Sequence, residues 1–149
     1  MKKYLAFDTA NEEIVVGGFN GKKYVEIKLR ASGTENLLPL IDKVLKKLKI
    51  AMSEVEVLCV GVGPGSWTGS RVAVVTAFGL KAGNPEFKLS TFNSFDLISY
   101  NVKDNEKVLK LVKAYANFVY VQNVNSGEIM CITMDELCEK YKEYKLIGL

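Results

Sequence analysis

The residues best suited to chemistry form one unbroken stretch, Gly61-Val62-Gly63-Pro64-Gly65-Ser66-Trp67-Thr68-Gly69-Ser70-Arg71. An apolar run, 55–60, precedes it and a helix-forming segment, 72–80, follows. A buried strand therefore breaks into a glycine-rich turn that opens a helix. Glycine tolerates positive φ and carries no Cβ, so such a turn lets backbone N–H groups converge on an anion or lets another backbone approach closely. Gly63, Gly65, Ser66 and Thr68 are the candidate anion-binding positions. The stretch is not a Walker A loop, because no Gly-Lys-Ser/Thr stands at the required spacing. It lacks the third glycine of a dinucleotide fingerprint, and three expected strands precede it instead of a βαβ start. Ser66 is not in a nucleophile elbow, since position 64 is proline. Three readings stay open: a phosphate cradle, a structural turn, or a turn that lets two chains approach closely.

Two charged residues flank this motif. Arg71 falls in the first turn of the expected helix, where a cation opposes the macrodipole by a few tenths to about 1 kcal/mol. An acidic partner such as Asp8, or a bound anion, would account for it; so would a side chain that simply extends to solvent. Asp8 ends the first expected strand. A carboxylate there either holds a metal–phosphate through water or bonds to the backbone of the following turn.

The chain contains no histidine. His-based metal sites, Ser-His-Asp and Cys-His catalysis and a histidine general base are thereby excluded from it, and no metal site is expected. Cys59, Cys131 and Cys138 form no Cys-x-x-Cys pair, which fits reduced thiols, with Cys59 as a small core residue. Net charge is +3 over 149 residues. Lys43, Lys46, Lys47 and Lys49 are read as a solvated helix face, and a nucleic-acid footprint asks for a stronger basic patch. No apolar run is long enough to span a membrane. Asp8 interrupts the N-terminal apolar stretch too early for a signal peptide, so a cytoplasmic location is expected.

These residues need elements to position them. Segments 4–9, 14–19 and 24–29 read as strands, with Asn20-Gly21 turning the second pair. In the third strand Val25, Ile27 and Leu29 alternate with Tyr24, Glu26 and Lys28, so one face is buried and the other wet. Ser32 and Glu35 resemble a capping box. Leu37, Leu38, Ile41, Val44, Leu45 and Leu48 then make a helical apolar stripe over 36–48, and Pro39 restricts where that helix begins. The strand 55–62, the glycine turn, a helix to about Lys81 and a short strand at 87–89 complete the order β-β-β-α-β-α-β. Residues 94–100 read as a connecting helix. Strands at 107–112, 118–124 and 129–133, a helix from Thr133 or Asp135 through Tyr141, and a strand at 145–147 begin the same order again. The expected architecture is α/β, a ribonuclease-H-like mixed sheet with flanking helices. Its lobes are 1–95 and 96–149, the second one truncated.

The stretches Phe7-Asp8-Thr9-Ala10, Leu37-Leu38-Pro39-Leu40-Ile41 and 61–71 resemble the bacterial TsaB (YeaZ) proteins, whose hallmark is Gly-x-Gly-Pro-Gly-Ser-Phe-Thr-Gly-x-Arg. The likeness is strong over residues 1 to about 95 and weaker beyond. It implies a non-catalytic member of the actin-like sugar kinase/Hsp70/actin (ASKHA) superfamily. Such a protein supports formation of threonylcarbamoyladenosine beside the tRNA anticodon, on tRNAs reading codons that begin with A. A separate enzyme makes threonylcarbamoyl-adenylate. The paralogue TsaD transfers the group with a histidine-held metal, and the ATPase TsaE joins the complex. TsaB is the scaffold that homodimerises alone, pairs with TsaD and activates it, meeting tRNA only through the complex. The older label of glycoprotease-like peptidase has no support in these residues. No cofactor is assigned to the chain, with ATP or ADP and Mg²⁺ at a partner interface left open.

The resemblance also implies a pairing surface made by two helices, with Leu37, Leu38, Ile41, Leu45, Val72, Val75, Thr76, Phe78 and Gly79 as its residues. A helix needs only one apolar stripe for its own core, whereas 72–80 is apolar nearly all round. The chain departs from the family in four places. Ala10 stands where serine is common, Thr34-Glu35 where a histidine precedes Leu-Leu-Pro, Lys113-Ala114-Tyr115 where Asp-Ala-Arg is usual (Tyr120 still matches), and the usual C-terminal portion is missing after Leu149. These departures bear on any nucleotide site and on the second-lobe contacts. The competing reading is a small nucleotide-dependent ATPase or phosphotransferase built on Asp8 and the glycine turn. The expected incompleteness of the second lobe argues against it.

Overall fold

The computed structural model describes residues 2–31, 33–98 and 106–148. The first three strands, β1 (Tyr4–Asp8), β2 (Ile14–Phe19) and β3 (Tyr24–Leu29), form an antiparallel meander. Its second turn centres on Gly21-Lys22, one residue later than Asn20-Gly21 suggests. Gly21 takes the positive φ, and the Asn20 side chain accepts from the Lys22 and Lys23 amides. Strand β4 (Val57–Gly61) then pairs parallel to β1, and β5 (Lys88–Phe92) parallel to β4, giving the order β3-β2-β1-β4-β5.

Helices α1 (Gly33–Leu48) and α2 (Trp67–Gly83) lie on one face of this sheet and touch each other. Leu5, Phe7, Ile14, Val16, Leu58 and Val60 from the sheet meet Leu37, Leu40, Ile41, Val44, Leu45 and Leu48 of α1 and Ala73 and Ala77 of α2 in one core. Each of the larger side chains gains about 1.5–3 kcal/mol from burial. Val25 and Ile27 of β3 pack at the margin of this core, while Leu29, expected inside, is exposed on the edge strand. Helix α1 starts earlier than 36 and takes Pro39 in its second turn, on the solvent side, where the ring removes one helical hydrogen bond at an exposed position. Ser32 lies outside the described residues, so the capping box has no structural counterpart to report. Lys43, Lys46, Lys47 and Lys49 are all exposed, and Lys46 pairs with Asp42 one turn back.

Residues 94–100 were expected to be helical. Ser94–Leu97 instead forms a single 3-10 turn, closed by reciprocal bonds between Asn93 and Asp96; residues 99–100 lie outside the described range. A second meander follows, β6 (Val108–Lys113), β7 (Phe118–Asn123) and β8 (Ile129–Thr133), and then α3 (Met134–Lys140) and β9 (Lys145–Gly148). Thr133, not Asp135, caps α3, its Oγ1 accepting from Glu136 N. Strand β9 pairs parallel to β6, so the second sheet, β8-β7-β6-β9, repeats the order of the first four strands of the first sheet. The architecture is the expected ribonuclease-H-like mixed sheet, an antiparallel meander extended by parallel strands, with flanking helices. No helix among the described residues is long and apolar enough to cross a membrane.

Candidate functional site

The glycine motif occupies the link between β4 and α2, and the first bend of the chain after β1 packs directly against it. Ser66 caps α2, its Oγ accepting from Gly69 N. Ser66 N donates to Ala10 O at 2.6 Å, and the Thr9 hydroxyl donates to Gly69 O at 2.6 Å. A Cβ at Gly69 would overlap the Thr9 carbonyl oxygen, and one at Gly65 would overlap that of Ala10. Both glycines are thus required by backbone crossing backbone. Gly63 adopts φ +87°, and its carbonyl accepts from Ser94 N at 2.8 Å. Of the three readings open at the sequence level, the structural turn is the one these contacts describe, since the glycines admit the chain's own residues 9–10.

Asp8 is 2% exposed at the C-terminal end of β1, on the sheet face opposite the helices. Its carboxylate accepts from Ala10 N at 3.1 Å and Asn11 Nδ2 at 2.9 Å. Burial pushes its pKa up, against the lowering effect of those two bonds and the Thr9 amide. Gly61 stands beside it because any Cβ there would strike the carboxylate. Since the folded-state pKa lies above the unfolded one, the fold favours the neutral acid. That stabilisation is complete below the ordinary carboxylate pKa and is lost as pH rises through the raised value. The stability of Asp8→Asn relative to the natural chain is therefore expected to improve from acid to neutral pH. Asp8→Ala leaves the buried Ala10 amide and the half-buried Asn11 side chain without their acceptor and is expected to cost about 1–3 kcal/mol. Urea unfolding of both variants across that pH range checks the pair.

Asp8 and Ser66 open onto a cleft of roughly 720 Å³ between the two sheets. At its mouth Glu12 bonds Arg30 at 2.6 Å and Lys113 at 2.7 Å, a clasp joining the β1–β2 turn to the ends of β3 and β6. Those two cations hold the Glu12 carboxyl below the usual carboxylate range. A triphosphate fits this cleft poorly. Arg30 and Lys113 are already engaged by Glu12 and Lys28 by Glu26, and Asp8 and Glu13 add further carboxyl groups to the walls. No group of three or more potential ligands among the described residues is placed to hold a metal ion.

Arg71 does not meet Asp8. Helix α2 begins at Trp67, five residues earlier than expected, so Arg71 lies past the first turn with its guanidinium 3.8 Å above the Trp67 ring. The expected anion set is therefore divided: Asp8 and Ser66 share one cleft, Gly65, Ser66 and Thr68 line a second, and Arg71 stacks on Trp67. That stack escaped the sequence reading, although an aromatic and an arginine four residues apart on a helix are its signal.

The expected pairing residues also separate. Leu37, Ile41 and Leu45 are buried in the chain's own core and present no surface, because the α1 stripe they belong to faces the sheet. Leu38, Val75 and Phe78 are 57%, 68% and 62% exposed. Val72 packs at the core margin, Thr76 is half-buried and Gly79 exposed. What α1 and α2 offer outward is thus an apolar face centred on Val75 and Phe78.

A family model described as TsaD, tRNA N6-adenosine threonylcarbamoyltransferase, matches residues 28–143. The chain is 31% identical over 124 residues to the tRNA threonylcarbamoyladenosine biosynthesis protein TsaB of Haemophilus influenzae, covering 80% of this chain and 52% of that one. It is 28% identical to the TsaB of Escherichia coli over 79% of this chain and 53% of that one. The chain spans about half the length of these curated relatives. Among solved structures, YeaZ from Pseudomonas aeruginosa superposes with a TM-score of 0.71 at 23% identity, over 89% of this chain and 64% of that one, a likeness of fold. The chain belongs to the TsaD family, within its TsaB/YeaZ branch.

Proposed function

We propose that this chain serves formation of threonylcarbamoyladenosine in tRNA as a non-catalytic scaffold that homodimerises alone, pairs with a TsaD paralogue and activates it. In this reading residues 1–95 are the pairing lobe and 96–149 the second lobe, with TsaE joining the assembly. The observation that carries the proposal is the outward face of α2, where the large apolar side chains of Val75 and Phe78 stand exposed one turn apart, with Leu38 exposed on the neighbouring helix α1. Exposed apolar side chains clustered in this way mark an association surface. The glycine motif supports the same reading, because the space its glycines create is filled by the chain's own backbone.

The test is threonylcarbamoyl transfer to tRNA by TsaD, with threonylcarbamoyl-adenylate supplied, in the presence and absence of this chain. Transfer is expected to rise with added chain and saturate at one equivalent. Unchanged transfer contradicts the proposal, as does ATP turnover by the chain alone that disappears in Asp8→Asn.

A further inference from the structure

Beside the glycine motif lies a second cleft, about 450 Å³, that none of the roles above uses. Its walls are Trp67 with Thr68 from the start of α2, and Tyr115 with Tyr120 from the β6–β7 hairpin. Trp67 is 72% exposed and Tyr115 70% exposed, the two most exposed aromatic rings among the described residues. Each ring is braced by one neighbour. The Arg71 guanidinium lies 3.8 Å over Trp67, and Phe118 stacks on Tyr115 with centroids 5.3 Å apart. A brace fixes a ring's orientation and leaves its remaining surface to solvent. Two such rings lining one cleft offer stacking surface to a flat guest, because aromatic pairs gain about 0.5–1.5 kcal/mol beyond simple burial.

The charge around the cleft selects the guest. No acidic residue lines it, and the Arg71 guanidinium sits on one of its rings. A cationic peptide finds no counter-charge there. A guest with a flat ring and a negative group matches both features, and an unpaired nucleotide supplies them together. Bases in a duplex are stacked on one another and closed to such a slot, whereas bases in a single-stranded loop are free to enter it.

We propose that Trp67 and Tyr115 form a stacking site for one unpaired base of an RNA loop, with Arg71 drawing the neighbouring phosphate. The site deepens the reading of this chain as part of a tRNA-modifying assembly and rests on it for the source of the RNA. Tyr115 and Trp67 are positioned by different sheets, so the site exists only while both sheets hold their places.

Trp67 is the sole tryptophan of the chain, so its fluorescence reports on this cleft alone. The probe is a hairpin RNA with an unpaired loop, titrated into the natural chain at low salt, beside the same RNA annealed to its full complement, AMP, and a proline-rich peptide. The hairpin is expected to quench Trp67 saturably and the duplex to do so at least about tenfold more weakly. Tyr115→Ala is expected to weaken the hairpin about five- to a hundredfold, while Tyr115→Phe retains it. Circular dichroism of Tyr115→Ala establishes that the exposed substitution leaves the fold intact. The proposal is overturned by an absence of saturable quenching, by equal quenching from the duplex or AMP, by a response to the peptide in place of RNA, or by an unchanged response in Tyr115→Ala. Sedimentation with TsaD is a separate readout, centred on Val75 and Phe78 about 12–16 Å further along the same helix. Quenching without TsaD pairing keeps the base site and removes the scaffold reading, and pairing without quenching does the reverse.

Discussion

Gly69→Ala is expected to destabilise the chain by about 3 kcal/mol, although alanine is normally the better helix residue by roughly 0.5–1 kcal/mol. The reason is local. Gly69 lies in the first turn of α2, and the carbonyl of Thr9 rests where its Cβ would be. Thr9 cannot retreat freely, because its hydroxyl bonds Gly69 O and it continues from β1, which pairs with β2 on one side and β4 on the other. Strain therefore spreads into the centre of the first sheet. Gly83→Ala, at the exposed end of the same helix with nothing within 4 Å of its Cβ, is expected to change stability by less than about 0.5 kcal/mol. Urea denaturation of the two variants checks the contrast. If Gly69→Ala is as mild as Gly83→Ala, the motif's glycines are not there to admit the chain's own backbone, and a ligand cradle regains ground.

The second large effect concerns association. Val75 and Phe78 protrude from α2 and are not part of the core, so charged replacements should fold normally. In an interface the same replacements bury a carboxylate against an apolar partner, and a central anchor residue of this kind is worth 2 kcal/mol or more, about thirtyfold in affinity. Phe78→Asp is accordingly expected to weaken self-association and TsaD pairing by about thirtyfold or more, with an unchanged melting temperature for the isolated monomer. Val75→Asp is expected to act in the same direction.

Local pattern made much of this fold legible. The bounds of β2, β3 and β8 follow from alternation and turn residues, and the repeated meander is visible because its second copy carries its own Asn-Ser-Gly turn. The start of α2 was not visible, since Ser66 caps the helix from inside a run of glycines that reads as turn. That displacement also put Arg71 in the wrong electrostatic setting. Helical spacing located the apolar residues of α1 but not their outlook: Leu37, Ile41 and Leu45 turn inward, and Leu38, about 100° around the helix from Leu37, turns outward. Contacts between distant parts of the chain leave no local trace. The bonds from Glu12 to Arg30 and Lys113, and the cleft shared by Trp67 and Tyr115, join residues whose nearness depends on how the two sheets are set against each other. Asp8 is an intermediate case. Its place at a strand end was readable, while its burial and raised pKa depend on the sheet and the turn closing over it.

The scaffold reading turns on whether one apolar helix face serves both self-association and partner binding. Sedimentation velocity of the natural chain across a concentration series, alone and mixed with the TsaD paralogue of the same cell, addresses this directly, with Phe78→Asp run in parallel. The expected result is a homodimer that gives way to a one-to-one heterocomplex as TsaD is added, with both species lost in Phe78→Asp. A natural chain that remains monomeric and sediments independently of TsaD contradicts the account.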